Sequence, residues 1–239
     1  MDKITKLRKK IDVIDNDLLK LINKRSSLAM QIGKAKKEYE KRPNFFRPER
    51  QINIVKRLIS YKMNKLEPQF IFNLWKNIFF FQTKIQGEIK YVLLNGSEKD
   101  KINKISNYFG GPLDFIFKKN IRMAINYVFK DKNTLLFLDY PGEKEHTRWW
   151  TDEKLLPLYV IATIPLILKK NQKPEIVILS KNIPVYDKNN ISLYSAKEKI
   201  NINKLKLISS IRNQYLYSSP KSIKDEKLKF LGSYVNLIK

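Results

Sequence analysis

The chain has 239 residues, enough for one large domain or two small ones, and its 43% hydrophobic and 30% charged residues are typical of a globular protein. It contains no cysteine and one histidine, His146, which excludes disulfides, thiol nucleophiles and metal sites built from several Cys or His side chains. The longest apolar run, residues 155–168, contains Pro157 and Pro165 and is too short to span a bilayer. The first ten residues have no apolar signal core, so we expect a cytoplasmic protein. We also expect no membrane contact, no metal and no cofactor.

The net charge of +25 raises the question of a nucleic-acid partner. The excess is spread evenly, with +13 in residues 1–90 and +12 in residues 91–239. Lysine supplies 39 of the 48 basic side chains, whereas base-edge and phosphate recognition favours the arginine fork. We therefore interpret the charge as a solvated lysine-rich surface, with no nucleic-acid partner.

The first 87 residues predict three helices. Apolar residues recur at three- and four-residue intervals from Ile4 to Ile32, which indicates one long helix over residues 1–38. Pro43 ends this pattern, and Pro48 is well placed as the first residue of a second helix that extends to about Lys62. Pro68 opens a third helix that continues to residue 86. A helix about 55 Å long with a single apolar stripe needs a partner along its whole length.

From Gly87 onward the pattern changes to strands that alternate with helices. We predict strands at residues 91–94, 115–117, 134–138, 175–179 and 191–194, and helices at residues 97–109 and 121–129. Residues 139–148 are predicted to form a polar loop, and the last forty residues alternate strand-like and polar pieces. The fold class is thus an all-α domain at residues 1–88, followed by an α/β domain with a smaller sheet at residues 89–239.

Two cations interrupt the apolar stripe of the first helix. Arg25 takes one stripe position and Lys36, three turns later, takes another. A buried charge without a partner destabilises a protein by about 3–5 kcal/mol, so both cations need a counter-ion. One reading is a buried ion pair with Glu49, Glu67 or Glu88; the other is that the counter-ion is a bound anionic ligand.

Arg8 adds a geometric argument for a dimer. It precedes Arg25 by 17 residues, or roughly 25 Å along a helix, so one metabolite can contact both only if Arg8 comes from a second chain. The second helix supplies Arg50 and Gln51, and the third supplies Gln82 and Gln86 on one face. These cations and amides suit the binding of a small dianion, and a reaction that needs electrostatics and restraint of the substrate.

Residues 1–88 closely resemble the all-helical, type II chorismate mutases. The resemblance is carried by Leu7-Arg8 to Asp15, Leu21 to Ala29 including Arg25, and Ile32-Gly33 to Lys36, followed by the second-helix run FFRPERQINIVKRLI. It implies an intertwined homodimer of three-helix chains that converts chorismate to prephenate in phenylalanine and tyrosine biosynthesis.

The same resemblance implies roles for individual residues. Arg25 would hold the ring carboxylate, and Lys36 together with Arg8 of the partner chain would hold the enolpyruvyl carboxylate. Lys36 and Gln86 would donate to the ether oxygen as its bond to carbon breaks. Lys36, Gln86 and Arg25 are therefore the predicted catalytic residues, and Arg50 would add to the positive electrostatic potential of the pocket. Gln51 replaces a glutamate of the family, Arg47 an acidic residue and Gln82 a serine; all three remain in the predicted substrate-binding set.

The second domain resembles known proteins more loosely. The runs YVLLNGSEKDKINKISNYFGG and EIVILSKNIPVYDKNNISLY are similar to the opening and final strands of prephenate dehydratases. The family's Thr-Arg-Phe signature is replaced by Pro174-Glu175-Ile176. With Trp149-Trp150, the arrangement resembles the C-terminal domains of some alphaproteobacterial chorismate mutases, and we expect a degenerate, non-catalytic domain. Trp149 and Trp150 are predicted to be core or interface residues, and His146 a surface residue.

These observations predict a chorismate mutase that requires no cofactor and forms a homodimer. The alternative is a protein of the same fold with little or no activity, which serves as a binding or regulatory partner of another enzyme of aromatic biosynthesis.

Overall fold

The computed structural model describes residues 2–41, 43–61, 66–152, 158–169, 172–185, 190–235 and 237–238. It has an N-terminal helical region followed by a mixed α/β region, which confirms the predicted fold class. The helical region ends at Gln86 and the first strand begins at Lys90. No helix among the described residues is both long enough and apolar enough to cross a membrane.

Three helices form the N-terminal region: α1 at Lys3–Tyr39, α2 at Pro48–Ile59 and α3 at Pro68–Gln86. Both α2 and α3 begin with proline, whose fixed φ and missing N–H suit the first turn. The predicted end of α2 near Lys62 lies outside the described residues. Helices α1 and α3 approach closely at Gly33, where an added Cβ would lie 2.8 Å from the Cα of Gln86.

The two halves of α1 have different surroundings. Ala29 and Gly33 in the C-terminal half are buried against the rest of the chain. The apolar stripe of the N-terminal half is exposed, and Leu7, for example, keeps 51% of its accessible surface; the other exposed stripe residues are Ile4, Ile11, Ile14, Leu18 and Leu21. In a single chain, therefore, about five turns of α1 present an uncovered apolar face.

The α/β region contains two further helices and a nine-stranded sheet. Helix α4 spans Lys99–Phe109, helix α5 spans Ile121–Phe129, and a 3₁₀ segment at Glu145–Thr151 interrupts the loop predicted at residues 139–148. The strands of the main sheet are β1 (Lys90–Leu94), β2 (Phe115–Lys118), β3 (Thr134–Asp139), β4 (Tyr159–Ile164), β6 (Ile176–Ser180), β7 (Ile191–Ala196), β8 (Lys206–Ile211), β9 (Gln214–Ser219) and β10 (Lys229–Tyr234). Two short strands, β5 (Ile167–Leu168) and β11 (Leu237–Ile238), pair separately.

The order of strands in the main sheet is β2-β1-β3-β6-β4-β10-β7-β9-β8. Strand β1 runs parallel to β2 and β3, whereas β6 is antiparallel to β3 and β4. The sheet has more strands than the five predicted individually: the strand-like pieces expected in the last forty residues supply β8, β9 and β10, and β4 was not predicted.

Strands β1 and β3 are covered on both faces. Val92 and Leu136 pack in a core with α5, and this core also contains Trp149 and Trp150, as predicted for these two tryptophans. The neighbouring Leu93 and Phe137 face the opposite core, which contains Ile105 and Phe109 of α4. Side chains that alternate between two covered faces explain why these strands are apolar at nearly every position.

The helical region shares the second of these cores. Phe46, from the connection between α1 and α2, is 2% exposed and packs against Phe109 with ring centroids 5.4 Å apart. Phe80 of α3 packs on the same cluster, and Ile52 of α2 contacts Leu166 and Val235 in a smaller one. The α1–α2 connection is therefore anchored in the α/β region.

Candidate active site

A cavity of about 270 Å³ lies among α1, α2, α3 and the connection between α1 and α2. Seven of the eight side chains predicted to contact substrate line it: Arg25, Lys36, Arg47, Arg50, Gln51, Gln82 and Gln86. Ile32, Phe45, Ile54, Phe79 and Thr83 complete its wall. Within the described part of the chain, no acidic side chain lines the cavity.

Arg25 lies at the wall that α1 and α3 share. Its guanidinium carbon is 5.5 Å from the centroid of the Phe79 ring, an arrangement in which the ring face stabilises the cation. Burial, and then the positive charge of Arg50, lower the pKa of Arg25 from its ordinary value. Among the described residues, Arg25 has no carboxylate partner, so a buried ion pair with Glu49, Glu67 or Glu88 is not formed.

Lys36 is half-buried, one turn before the end of α1. Its Nζ donates a hydrogen bond of 2.6 Å to the backbone oxygen of Asn44 and lies 5.7 Å from the centroid of the Phe45 ring. Burial, and then the charge of Arg47, lower the pKa of Lys36 and outweigh the opposing effect of Glu40. An ammonium has three donors, so two remain for a ligand when Asn44 accepts one.

The two glutamines of α3 lie one turn apart. Gln82 is only 3% exposed, and its Nε2 donates to the Ser26 hydroxyl at 3.2 Å. The Nε2 of Gln86 donates to the backbone oxygen of Gln82 at 3.1 Å. Because a primary amide carries two N–H groups, this contact leaves Gln86 one donor for a ligand. The close approach of Gly33 to Gln86 brings α1 near the end of α3 that carries this amide.

Helix α2 supplies the remaining polar wall. Arg47 precedes the first residue of α2, and its Nε is 2.8 Å from Oε1 of Glu49. Arg50 and Gln51 follow in the first turn. Arg47 and Arg50 are exposed, whereas Gln51 is half-buried. Glu49 thus balances part of the charge of Arg47, and Arg50 adds a positive charge, partly screened by solvent, to the cavity wall.

Arg8 does not lie at this cavity. It belongs to the exposed N-terminal half of α1, 17 residues before Arg25 on one continuous helix, or roughly 25 Å away. The structure of a single chain therefore separates Arg8 from the other seven predicted residues.

The site also depends on residues that sequence reasoning missed. Asn44 holds Lys36 through a backbone oxygen, which carries no side-chain signal. Ser26 is adjacent to Arg25 in the sequence but contacts the cavity only through Gln82. Asn133 lies about ninety residues further along the chain, yet its side chain bonds the backbone at Pro43 and Phe45. Only the tertiary fold reveals such a contact.

The arrangement has a clear chemical preference. Four cations and three amides with unused donor groups surround a cavity that lacks acidic groups in the described chain. No cluster of three or more His, Asp or Glu residues suitable for a metal occurs among the described residues. Such a cavity stabilises an organic dianion and any negative charge that develops within it.

Comparison with known proteins agrees with this geometry. Residues 7–86 match the family model for chorismate mutase type II. The match covers about a third of the chain and supports chorismate mutase activity in general. It begins just before Arg8 and ends at Gln86, so all eight predicted substrate-contacting residues lie inside it. A search of curated proteins finds no match.

A comparison with solved structures gives a weaker likeness. One chain, described as "GqqA- a novel type of quorum quenching acylases", superimposes with a TM-score of 0.39 at 12% sequence identity. The alignment covers 62% of the present chain and 96% of that chain. A likeness of this size does not define a shared activity.

Proposed function

We propose that this protein is a chorismate mutase that rearranges chorismate to prephenate and so serves the biosynthesis of phenylalanine and tyrosine. The observation that carries the proposal is the cavity of Arg25, Lys36, Gln82 and Gln86 among three helices. Chorismate is a dianion, and its rearrangement breaks a C–O bond while a C–C bond forms within the same molecule. No acid, base, nucleophile or metal has to take part, which suits a cavity of fixed cations and amides.

In this proposal, the side chains divide into those that hold the substrate and those that stabilise the transition state. Arg25 binds the ring carboxylate, and the field of Arg47 and Arg50 strengthens binding. Lys36 and Gln86 donate their free N–H groups to the ether oxygen, where negative charge grows as the bond breaks. Interactions that strengthen during the reaction lower its barrier, so these two donors carry the rate effect. Gln51 accepts from the ring hydroxyl, and Gln82 donates to a carboxylate.

The substrate's second carboxylate needs a further cation, which we assign to Arg8 of a second chain. The exposed apolar stripe of α1 supports this assignment, because it runs past Arg8 and has no cover in a single chain. Pairing of α1 with its copy buries the stripe and brings Arg8 of one chain toward the cavity of the other. The active form is then a homodimer with two shared sites, located in the cytoplasm.

We assign no second reaction to the α/β region. Pro174 stands where the dehydratase signature would provide a threonine, and the carboxylate of the adjacent Glu175 is 2.6 Å from Nζ of Lys104. Trp149 and Trp150 are buried, and their indole N–H groups donate to the backbone oxygens of Asp139 and Gly142. His146 is exposed, as predicted. These residues are engaged in structure or in solvent, which supports a non-catalytic domain derived from a dehydratase-like fold.

A chorismate-loss assay on the purified full chain tests the proposal, with prephenate identified as the product. We expect turnover in the wild type, a large loss in Arg25→Ala, and near-normal turnover in Arg57→Ala, a matched control because Arg57 is exposed on α2 and does not line the cavity. Binding of chorismate without turnover would instead support the alternative of a binding or regulatory protein. Absence of both would refute the proposal.

A further inference from the structure

The described residues of the connection between α1 and α2 carry several groups of the candidate site but form no helix or strand. The Asn44 oxygen holds the Lys36 ammonium, the Phe45 ring lines the cavity, and Arg47 leads into α2. Pro43 and Pro48 limit the backbone donors available for local hydrogen bonds. The position of these groups must therefore be fixed by something outside the connection.

One side chain of the α/β region makes two hydrogen bonds to this connection. The Oδ1 of Asn133 accepts from the backbone N–H of Phe45 at 3.0 Å, and its Nδ2 donates to the backbone oxygen of Pro43 at 2.9 Å. The two bonded groups flank Asn44, so the amide of Asn133 acts like a neighbouring peptide group in a sheet. Both of its hydrogen-bonding functions are used by the catalytic connection.

Asn133 is itself held firmly. Its backbone N–H donates to Oδ1 of Asp131 at 3.0 Å, within the turn that leads from α5 into β3. Its backbone oxygen accepts from the N–H of Lys90 at 2.9 Å. Lys90 begins β1, only four residues after Gln86. The turn thus joins the segment that follows Gln86 to the segment that holds Lys36.

From this geometry we infer that Asn133 is a positioning residue for the mutase reaction, which makes the α/β domain a structural part of the mutase active site. Asn133 sets the spacing between the Lys36 ammonium and the Gln86 amide, the two donors assigned to the ether oxygen. It touches no substrate and acts through the backbone at Pro43 and Phe45. The inference rests on the proposed function and gives the second domain a role that needs no chemistry of its own.

Loss of the Asn133 amide leaves the Pro43 oxygen and the Phe45 N–H without their partner and frees the Asn44 oxygen to move. Lys36 then loses a fixed acceptor for its charged form. Small displacements of a catalytic group have large effects on rate, up to roughly 10²-fold for about 1 Å. We expect Asn133→Ala in the full chain to lower kcat about 10-fold or more, and to lower the pKa of Lys36 further.

The experiment compares the wild type with three variants. Asn133→Ala removes both hydrogen bonds, and Asn133→Asp keeps the acceptor for Phe45 but places a second oxygen against the Pro43 oxygen, with almost no change of shape. Asn182→Ala is the matched control, because Asn182 Nδ2 donates to the backbone oxygen of Lys132 in the same turn, at 2.8 Å, and no hydrogen bond between described residues joins Asn182 to the connection. Each variant is measured for kcat, thermal stability, hydrogen exchange of the Phe45 amide and the Lys36 pKa by NMR.

The expected result is lower kcat, faster Phe45 exchange and a lower Lys36 pKa in Asn133→Ala. In Asn133→Asp we expect smaller changes in kcat and Phe45 exchange, and the Lys36 pKa is not a criterion there because the added negative charge itself acts to raise it. In Asn182→Ala we expect kcat within about twofold of wild type. Unchanged Phe45 exchange in both Asn133 variants would overturn the inference, and so would unchanged kcat and Lys36 pKa despite faster exchange. If Asn133→Ala fails to fold, Asn133→Asp decides by Phe45 exchange and kcat, because its added negative charge acts directly on the Lys36 pKa. Hydrogen exchange of Phe45 and the Lys36 pKa can be measured without turnover. An inactive wild type would therefore refute the proposed function, whereas these two measurements would still show whether the Asn133 hydrogen bonds hold the connection in place.

Discussion

Replacement of Lys36 gives the sharpest test of the proposed mechanism. Lys36→Ala removes a half-buried ammonium that has one hydrogen bond to the Asn44 oxygen and two donors left for substrate. Loss of one donor to a developing oxyanion lowers kcat by about 10² to 10³-fold, equivalent to about 2.7–4 kcal/mol. We expect a loss of kcat at the lower end of this range for two reasons. The substitution relieves the repulsion between Lys36 and the charges of Arg47 and Arg50, and it leaves Gln86 as a second donor to the ether oxygen.

The assay is chorismate loss at saturating substrate, so that kcat is separated from KM. Lys36→Met keeps most of the alkyl stem and removes the charge, and it should lose nearly as much kcat as Lys36→Ala. Lys34→Ala is the control, since Lys34 is exposed on α1 and does not line the cavity. A variant without the Lys36 ammonium that folds and keeps near-normal kcat would refute its assignment to the breaking bond.

Four further predictions follow from the same geometry. Because burial lowers the pKa of Lys36 in the free enzyme, kcat/KM should fall as the pH rises, with a midpoint below 10.5. The bound dianion raises the pKa of Lys36 again, so the midpoint for kcat should lie at a higher pH than the midpoint for kcat/KM. Identical midpoints for kcat and kcat/KM would contradict this prediction. Arg8→Ala and Arg25→Ala chains should each be nearly inactive but regain activity when mixed and allowed to exchange, because one site of the heterodimer then has both arginines; no recovery in exchanged mixtures would place Arg8 outside the site. Gly33→Ala should lower both kcat and thermal stability, because its Cβ would lie 2.8 Å from the Gln86 Cα, and wild-type values would show that the helices separate freely. The protein should release prephenate and form no phenylpyruvate above background, whereas formation in proportion to enzyme would identify a dehydratase activity in the α/β domain.

Local signals were sufficient for the helical region. The spacing of apolar residues predicted α1 to within two residues at its start and one at its end, and Pro48 and Pro68 marked the starts of α2 and α3. The same periodicity placed Arg25 and Lys36 on the apolar face of α1, where their charge required an explanation, and both are half-buried in the structure. These predictions worked because a helix repeats every 3.6 residues and so relates residues close in sequence.

The missing information was long-range. The nine-stranded order, with β10 between β4 and β7, depends on pairings between distant segments that no local pattern specifies. The two hydrogen bonds from Asn133 to Pro43 and Phe45 join residues about ninety positions apart. From the sequence alone, an asparagine before a strand indicates only a turn. Sequence therefore identified the side chains of the cavity but not what holds them in place.

The long helix links the chemistry of the site to assembly. Its C-terminal half packs on α3 and carries Arg25 and Lys36 into the cavity, while its N-terminal half presents an apolar stripe and Arg8 to the outside. Because one rigid helix carries both halves, burial of the stripe in the proposed dimer also fixes the distance from Arg8 of one chain to the cavity of the other. Hydrophobic association then holds Arg8 in place before substrate binds, whereas a flexible arm would lose conformational entropy when it bound substrate. In this design, the free energy that stabilises the dimer also preorganises the active site.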